Sequence, residues 1–181
     1  MDLRIQKTKR QITEAFLTLR ATLPPEKIKV KDICEIAMIN KTTFYKHYDD
    51  SVELAEDIDT TAVNKIIEGF ESKYSFIDSP QGYVEGLCAA ILKYAEKLRL
   101  IYRGREEKLC MKLGKELSKC YGEHDESEEG GMLFSMILGG LMSILTKALF
   151  SDDFKDKLKA ICTVQIERIV AMFKPICDKE G

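Results

Sequence analysis

Residues 29–48 read Lys29-Val-Lys-Asp-Ile-Cys-Glu-Ile-Ala-Met-Ile-Asn-Lys-Thr-Thr-Phe-Tyr-Lys-His-Tyr48, and this stretch decides the fold. The pattern predicts a helix over 30–37, a break at Met38-Ile39-Asn40 and a second short helix over 41–47. Ile33, Ala37, Ile39, Phe44 and Tyr48 are spaced to fill one small core between the two helices. Lys41, Thr42, Thr43, Tyr45, Lys46 and His47 then face outward. A helix-turn-helix needs this arrangement, because its second helix lies in the major groove with its N-terminal residues against base edges.

Each outward residue has a role in that reading. Lys41 and Thr42 stand at the start of the reading helix, within reach of bases. Thr43 offers a hydroxyl to a base edge or a methyl to thymine. Tyr45 and His47 carry polar tips for phosphates or bases, Lys46 adds charge, and Lys31 on the preceding helix reaches a base or the backbone. Taken singly, each residue type also serves as ordinary solvated surface. Phe44 and Tyr48 belong to the core.

Charge supports the same end of the chain. The net charge of −2 conceals an asymmetry: residues 1–48 hold ten Lys/Arg against five Asp/Glu, and the remainder carries a net −7. A basic head on an acidic body suits contact with DNA through one end only.

The 181 residues allow one large domain or a small domain with a larger one. With 45% hydrophobic and 32% charged residues, a sizeable core is expected and wholesale disorder is not. Alternating strand patterns are scarce, so the fold class is all-α. No apolar run reaches the length of a membrane span; Met132 to Leu145 comes nearest and is interrupted by Ser135, Gly139, Gly140 and Ser143. Charges at Asp2, Arg4, Lys7, Lys9 and Arg10 leave no apolar core for a signal peptide, so a cytoplasmic protein without membrane contact is expected. The cysteines at 34, 88, 110, 120, 162 and 177 form no Cys-x-x-Cys pair and only two histidines accompany them, so no metal site is expected. They read as buried thiols in a reducing compartment, with a redox pair between helices as the alternative.

Outward from the opening stretch, a first helix is expected over about 3–23, with Ile5, Ile12, Ala15, Phe16, Leu19 and Leu23 on its apolar face and Pro24-Pro25 ending it. A long fourth helix over about 50–74 opens with Asp50 and Glu53 as a capping box and carries Leu54, Ile58, Ala62, Ile66 or Ile67, Phe70 and Tyr74. Ser79-Pro80 starts the next segment, expected as helices near 80–95, 97–103 and 105–121, broken at Gly104. Glu123 to Glu129 reads as an acidic loop. From about Glu128 to Phe150 the chain is apolar on nearly every side, so one side should pack on its own subunit and another on a second chain. Gly139 and Gly140 allow a close approach of backbones there. Together with Leu141 and Ile144, and with Ile161, Ile169, Met172 and Phe173 of a final helix, they form the expected seam of a homodimeric four-helix bundle.

His47 also invites a catalytic reading, since imidazole is the commonest general base. No nucleophile or carboxylate pattern accompanies it, and His124 lies in the acidic loop. Gly130-Gly131 and Gly139-Gly140 lack the strand-turn-helix context of a phosphate loop. No catalytic residue and no cofactor is therefore assigned.

Residues 4 to 58 resemble the TetR/AcrR family of bacterial transcriptional regulators. The resemblance rests on Val30, Asp32, Ile33, Ala37, Ile39, Lys41, Thr43, Phe44, Tyr45, His47, Tyr48 and Leu54, and on a plan of about nine helices with a short third one. It implies a helix-turn-helix DNA-binding domain over 1–48 and a helical effector-binding and dimerisation domain over 49–181. It implies a homodimer that binds a palindromic operator, most simply as a repressor, and a small apolar or amphipathic molecule that releases the DNA. The chain departs from the family at three places. Lys29 stands where a Thr often caps the second helix, Met38 where a Gly often makes the turn, and Ser51 where a Lys often touches phosphate. Lys29 supplies charge to a phosphate but no cap. The effector should sit among the helices of 80–121 and the wall of 128–150, with Tyr94, Leu98, Tyr102, Leu113, Met132 and Met136 as lining residues. Core packing is the other role open to each of these six. A helical interaction or redox module without specific DNA binding is the rival reading.

Overall fold

The computed structural model of the protein describes residues 3–70, 79–122 and 128–161. Among them are eight α-helices, one 3-10 turn at Pro25–Lys27 and no strand. The helices are α1 (Leu3–Arg20), α2 (Val30–Ala37), α3 (Lys41–Tyr45), α4 (Ser51–Gly69), α5 (Pro80–Tyr102), α6 (Glu106–Gly122), α7 (Glu128–Leu149) and α8 (Phe154–Ala160). The all-α fold class follows. The first three helices form one unit, with α1 packed on α2 and α2 on α3, while α4 runs from that unit into the bundle and contacts α5 and α6.

Helix α1 buries Ile12, Ala15 and Phe16, and Leu19 and Leu23 pack against the core. Two details differ from expectation. Ile5 is exposed, and the helix stops at Arg20, three residues before Leu23. At this end the Arg20 guanidinium reaches forward, its Nη1 donating to the Leu23 carbonyl at 3.0 Å and its Nη2 to the Arg103 carbonyl.

The start of α4 is built from its own sequence. The Asp50 carboxylate accepts from the N–H groups of Val52 and Glu53, both at 2.8 Å. Glu53 reaches back as a capping box requires, but to the N–H of Asp49, one residue before the cap. The buried stripe of α4 is broader than expected: Leu54, Ala55, Ile58, Ala62, Val63 and Ile66, with Asp59 in their midst. Tyr74, expected on the same helix, lies outside the described residues.

Helix α5 starts as expected, with the Ser79 hydroxyl accepting from the Gly82 N–H at 3.2 Å and Pro80 at the first helical position. The expected interruption near residue 96 is absent. Leu87, Ile91, Ala95, Leu98, Ile101 and Tyr102 are all buried at helical spacing, so one unbroken apolar stripe runs through the point of the supposed break. The true stop is Gly104, whose φ of +73° admits a glycine without strain.

An ionic hub joins α4 to the α5–α6 corner. Asp59 is fully buried, and its carboxylate receives Arg105 at 3.2 Å and Lys108 at 2.9 Å. Its backbone carbonyl accepts the Tyr102 hydroxyl at 3.1 Å. One turn earlier, Glu56 takes Lys112 at 2.7 Å and also Lys108. Hydrogen bonds from Lys108 and Lys112 hold the Glu56 carboxyl at about 2, against an ordinary 4.5. A carboxyl depressed in this way stabilises the fold above pH 4.5, and the contribution disappears as the pH falls towards 2. Glu56 is half exposed, so solvent screening limits the effect to about 1 kcal/mol. In acid titrations of stability, the curves of the protein and of Glu56→Gln should converge between those two pH values. Parallel curves would remove Glu56 from the hub.

From Ser135 onward, helix α7 is covered on one side. Ile137, Leu138, Leu141, Met142, Leu145, Ala148 and Leu149 face the chain's own core, while Met136, Gly139, Gly140, Ser143, Ile144 and Lys147 face out. Two members of the expected dimer seam therefore turn inward: Leu141 and Ile161 are both buried in their own chain. Ile169, Met172 and Phe173 lie outside the described residues. No helix among the described residues is long and apolar enough to cross a membrane.

Candidate functional site

The α2–α3 unit is held by its own small core. Ile33, Ala37, Phe44 and Tyr48 are buried, and Ile39 packs against them partly covered. Burial of a ring such as Phe44 contributes about 2–3 kcal/mol. The turn is closed without the glycine that such turns favour. Met38 adopts φ 52°, ψ 44°, which lets the Ile39 N–H bond the Cys34 carbonyl at 3.1 Å. That left-handed backbone costs a residue with a Cβ about 1–2 kcal/mol. The Met38 side chain gains nothing in return, being 90% exposed. Lys29 precedes α2 and forms no side-chain cap, as its chemistry requires.

Asn40 was not singled out from the sequence, yet it sets the start of α3. Its Oδ1 accepts from the Thr43 N–H at 2.7 Å and from the Thr43 hydroxyl at 2.9 Å. The signal was available, since Asn directly before a helical pattern is among the best N-caps. One consequence is that the Thr43 hydroxyl proton is already committed, which leaves its lone pairs and methyl for any further contact.

Lys29, Lys31, Lys41, Thr42, Tyr45 and Lys46 are exposed, whereas Thr43 and His47 are half-buried. Tyr45 stands edge-on to Phe44 with ring centroids 5.6 Å apart, so its phenol projects from a fixed base. Tyr48 is anchored differently: its hydroxyl donates to Asp57 Oδ2 of α4 at 2.7 Å, and Lys9 of α1 lies 5.1 Å from its ring centroid. Burial, then the bond to Asp57, pushes the Tyr48 phenol above its ordinary range, so it stays neutral and donating. Tyr48 thus belongs to the core and also fixes the three-helix unit to α4. Burial likewise raises the Cys34 thiol, which makes it a poor nucleophile.

The six residues expected around an effector do not converge. Leu98 and Leu113 line an apolar cavity between α5, α6 and α7, together with Ile91, Leu109, Met142 and Leu145. That cavity has room for little more than one water molecule. Tyr102 is fully buried and spends its hydroxyl on the Asp59 carbonyl, so it is part of the hub. Met136 is 74% exposed on the outer side of α7, turned away from the interior. The side chain of Met132 lies outside the described residues. Tyr94, with the other edge of Leu98, lines a separate hollow between α1, α4 and α5.

A three-helix N-terminal unit with a helix-turn-helix, a long connecting α4 and a helical body together define an all-α fold with a small head on a larger body. A solved structure with this architecture is GusR of Salmonella enterica. The two superpose with a TM-score of 0.54 over 92% of this chain and 95% of that one, at 13% sequence identity. At that identity the likeness is one of fold. No protein-family model matches the sequence, and no curated protein is significantly similar to it.

Proposed function

We propose that the protein is a transcriptional regulator that binds double-stranded DNA through α2 and α3. The observation that carries this reading is the exposed face of Lys31, Lys41, Thr42, Tyr45 and Lys46, set on a small rigid core within a TetR-like fold. Residues 1–48 act as the DNA-binding domain and residues 49–181 as the effector-binding and dimerisation domain. Two chains bind a palindromic operator, with their α3 helices in successive major grooves about 34 Å apart. The outer side of α7 supports pairing. Met136 and Ile144 are exposed large apolar residues there, and among the described residues no other part of the chain comes within 4 Å of where a side chain at Gly139 or Gly140 would begin. Repression relieved by a small apolar or amphipathic effector completes the proposed cycle, in which the effector binds the two states with different affinity.

The test is selection from random duplex DNA, followed by affinity measurements on the winner at several salt concentrations. A palindrome should be enriched. Its affinity should fall steeply with salt, because each phosphate neutralised by Lys or Arg releases counterions. Absence of enrichment at low salt would overturn the DNA-binding reading.

A further inference from the structure

Between α1, α4 and α5 the chain leaves a small cleft of about 50 Å³ that opens to solvent. Its wall is mainly apolar, made by Ile58 and Ala62 of α4 and by Leu98 and the Tyr94 ring of α5, with Thr13 of α1 and Asp57 and Thr61 of α4 completing the lining. Lys65 of α4 and Lys97 of α5 stand over that wall. Among the described residues neither lysine has an ion-pair or hydrogen-bond partner, although elsewhere α4 and its neighbours pair their charges closely. Burial, and then the charge of Lys65, lowers the Lys97 ammonium below its ordinary range. Two acidic residues stand nearby. Asp57 also lines the cleft, and the neutral Tyr48 hydroxyl that it accepts from supplies no counter-charge, while Glu14 is paired with Arg10 at 3.7 Å; Lys65, Lys97 and Lys93 still outnumber them. A third ammonium, that of Lys93, lies 5.5 Å from the centroid of the Tyr94 ring. Like charges gathered beside an apolar wall raise the local potential and attract an anion.

We propose that this cleft binds an amphipathic organic anion, its acidic group between Lys65 and Lys97 and its apolar body on Ile58, Ala62, Leu98 and Tyr94. Carboxylates of fatty or aryl type fit this description; neutral apolar molecules and cations do not. The site is distinct from the small cavity between α5, α6 and α7. Its occupant touches the three-helix unit, the connecting helix and the body at once, beside the Tyr48–Asp57 bond that joins two of them. The consequence for operator affinity rests on the regulator reading above; the binding itself does not.

The chain contains no tryptophan, so Tyr94→Trp places a single indole in the cleft. Octanoate should shift its emission saturably, and 1-octanol should do so far more weakly. Adding Lys65→Gln and Lys97→Gln should raise the Kd for octanoate about tenfold, the value of one charge-assisted contact. Lys115→Gln, exposed on α6, should leave it unchanged. Calorimetry with octanoate on the unmodified protein and on Lys65→Gln/Lys97→Gln, matched in helicity and melting temperature, guards against damage by the tryptophan. Equal affinity in those two forms, equal binding of octanol, or no saturable octanoate binding would each overturn the proposal. Anisotropy of the selected duplex separates the two readings. Octanoate binding without any DNA binding sinks the regulator and leaves the cleft, whereas DNA binding without octanoate binding does the reverse.

Discussion

Asp59→Ala should lower the unfolding free energy by about 3 kcal/mol, which makes it the most damaging single change outside the apolar core. The carboxylate is fully buried and receives two cations, Arg105 at 3.2 Å and Lys108 at 2.9 Å. Removing it leaves both without that counter-charge beside an apolar bundle. The loss stays at the lower end of the range for a broken buried pair because Arg105 and Lys108 reach solvent, with side chains 21% and 27% exposed. Urea denaturation should show a reduced midpoint with an unchanged slope. The double change Asp59→Ala/Arg105→Ala should cost less than the sum of the two single ones. Strict additivity would mean that the Asp59–Arg105 contact carries no energy of its own.

Lys41→Glu combined with Lys46→Glu should cut affinity for the selected operator by about a thousandfold at moderate salt. Both side chains are exposed, Lys41 at the start of α3 and Lys46 as its C-cap, and each reversal replaces an attraction to phosphate with a repulsion. In a dimer the change is made twice. The dependence of affinity on salt should flatten as well, by about one unit of slope for each phosphate no longer neutralised. Folding should survive, because the core of Ile33, Phe44 and Tyr48 is untouched, an acidic residue at 41 suits the first turn of α3, and one at the exposed C-cap position 46 costs only about 0.5 kcal/mol. Full affinity with an unchanged salt slope in the reversed protein would take α3 out of the interface.

The helix-turn-helix was legible because its two signals agree: apolar residues at helical spacing inside, and donors and cations outside. The caps at Asp50 and Ser79 and the stop at Gly104 could be read for the same reason, since each is fixed by its own side chain or backbone. The hub was missed because an acid on a helix reads as solvated surface by default. A signal did exist: Asp59 stands four residues from both Ala55 and Val63, squarely on the buried stripe. Its partners lie at 105 and 108, a separation that no local pattern reveals. The effector residues were chosen by type on neighbouring helices, but helix rotation decides which way they point. Met136 and Leu113 therefore part company, one facing solvent and one facing the core.

Besides its apolar packing, the N-terminal unit is tied to the rest of the molecule by two side-chain hydrogen bonds. Arg20 holds the carbonyl of Arg103, at the end of α5, and Tyr48 holds Asp57 on α4. One bond runs to the end of α5 and the other to α4, so a displacement of either helix is passed to the unit through a directional contact as well as through packing. For a pair of such units, a displacement passed on in that way alters their spacing while leaving each one's internal packing intact.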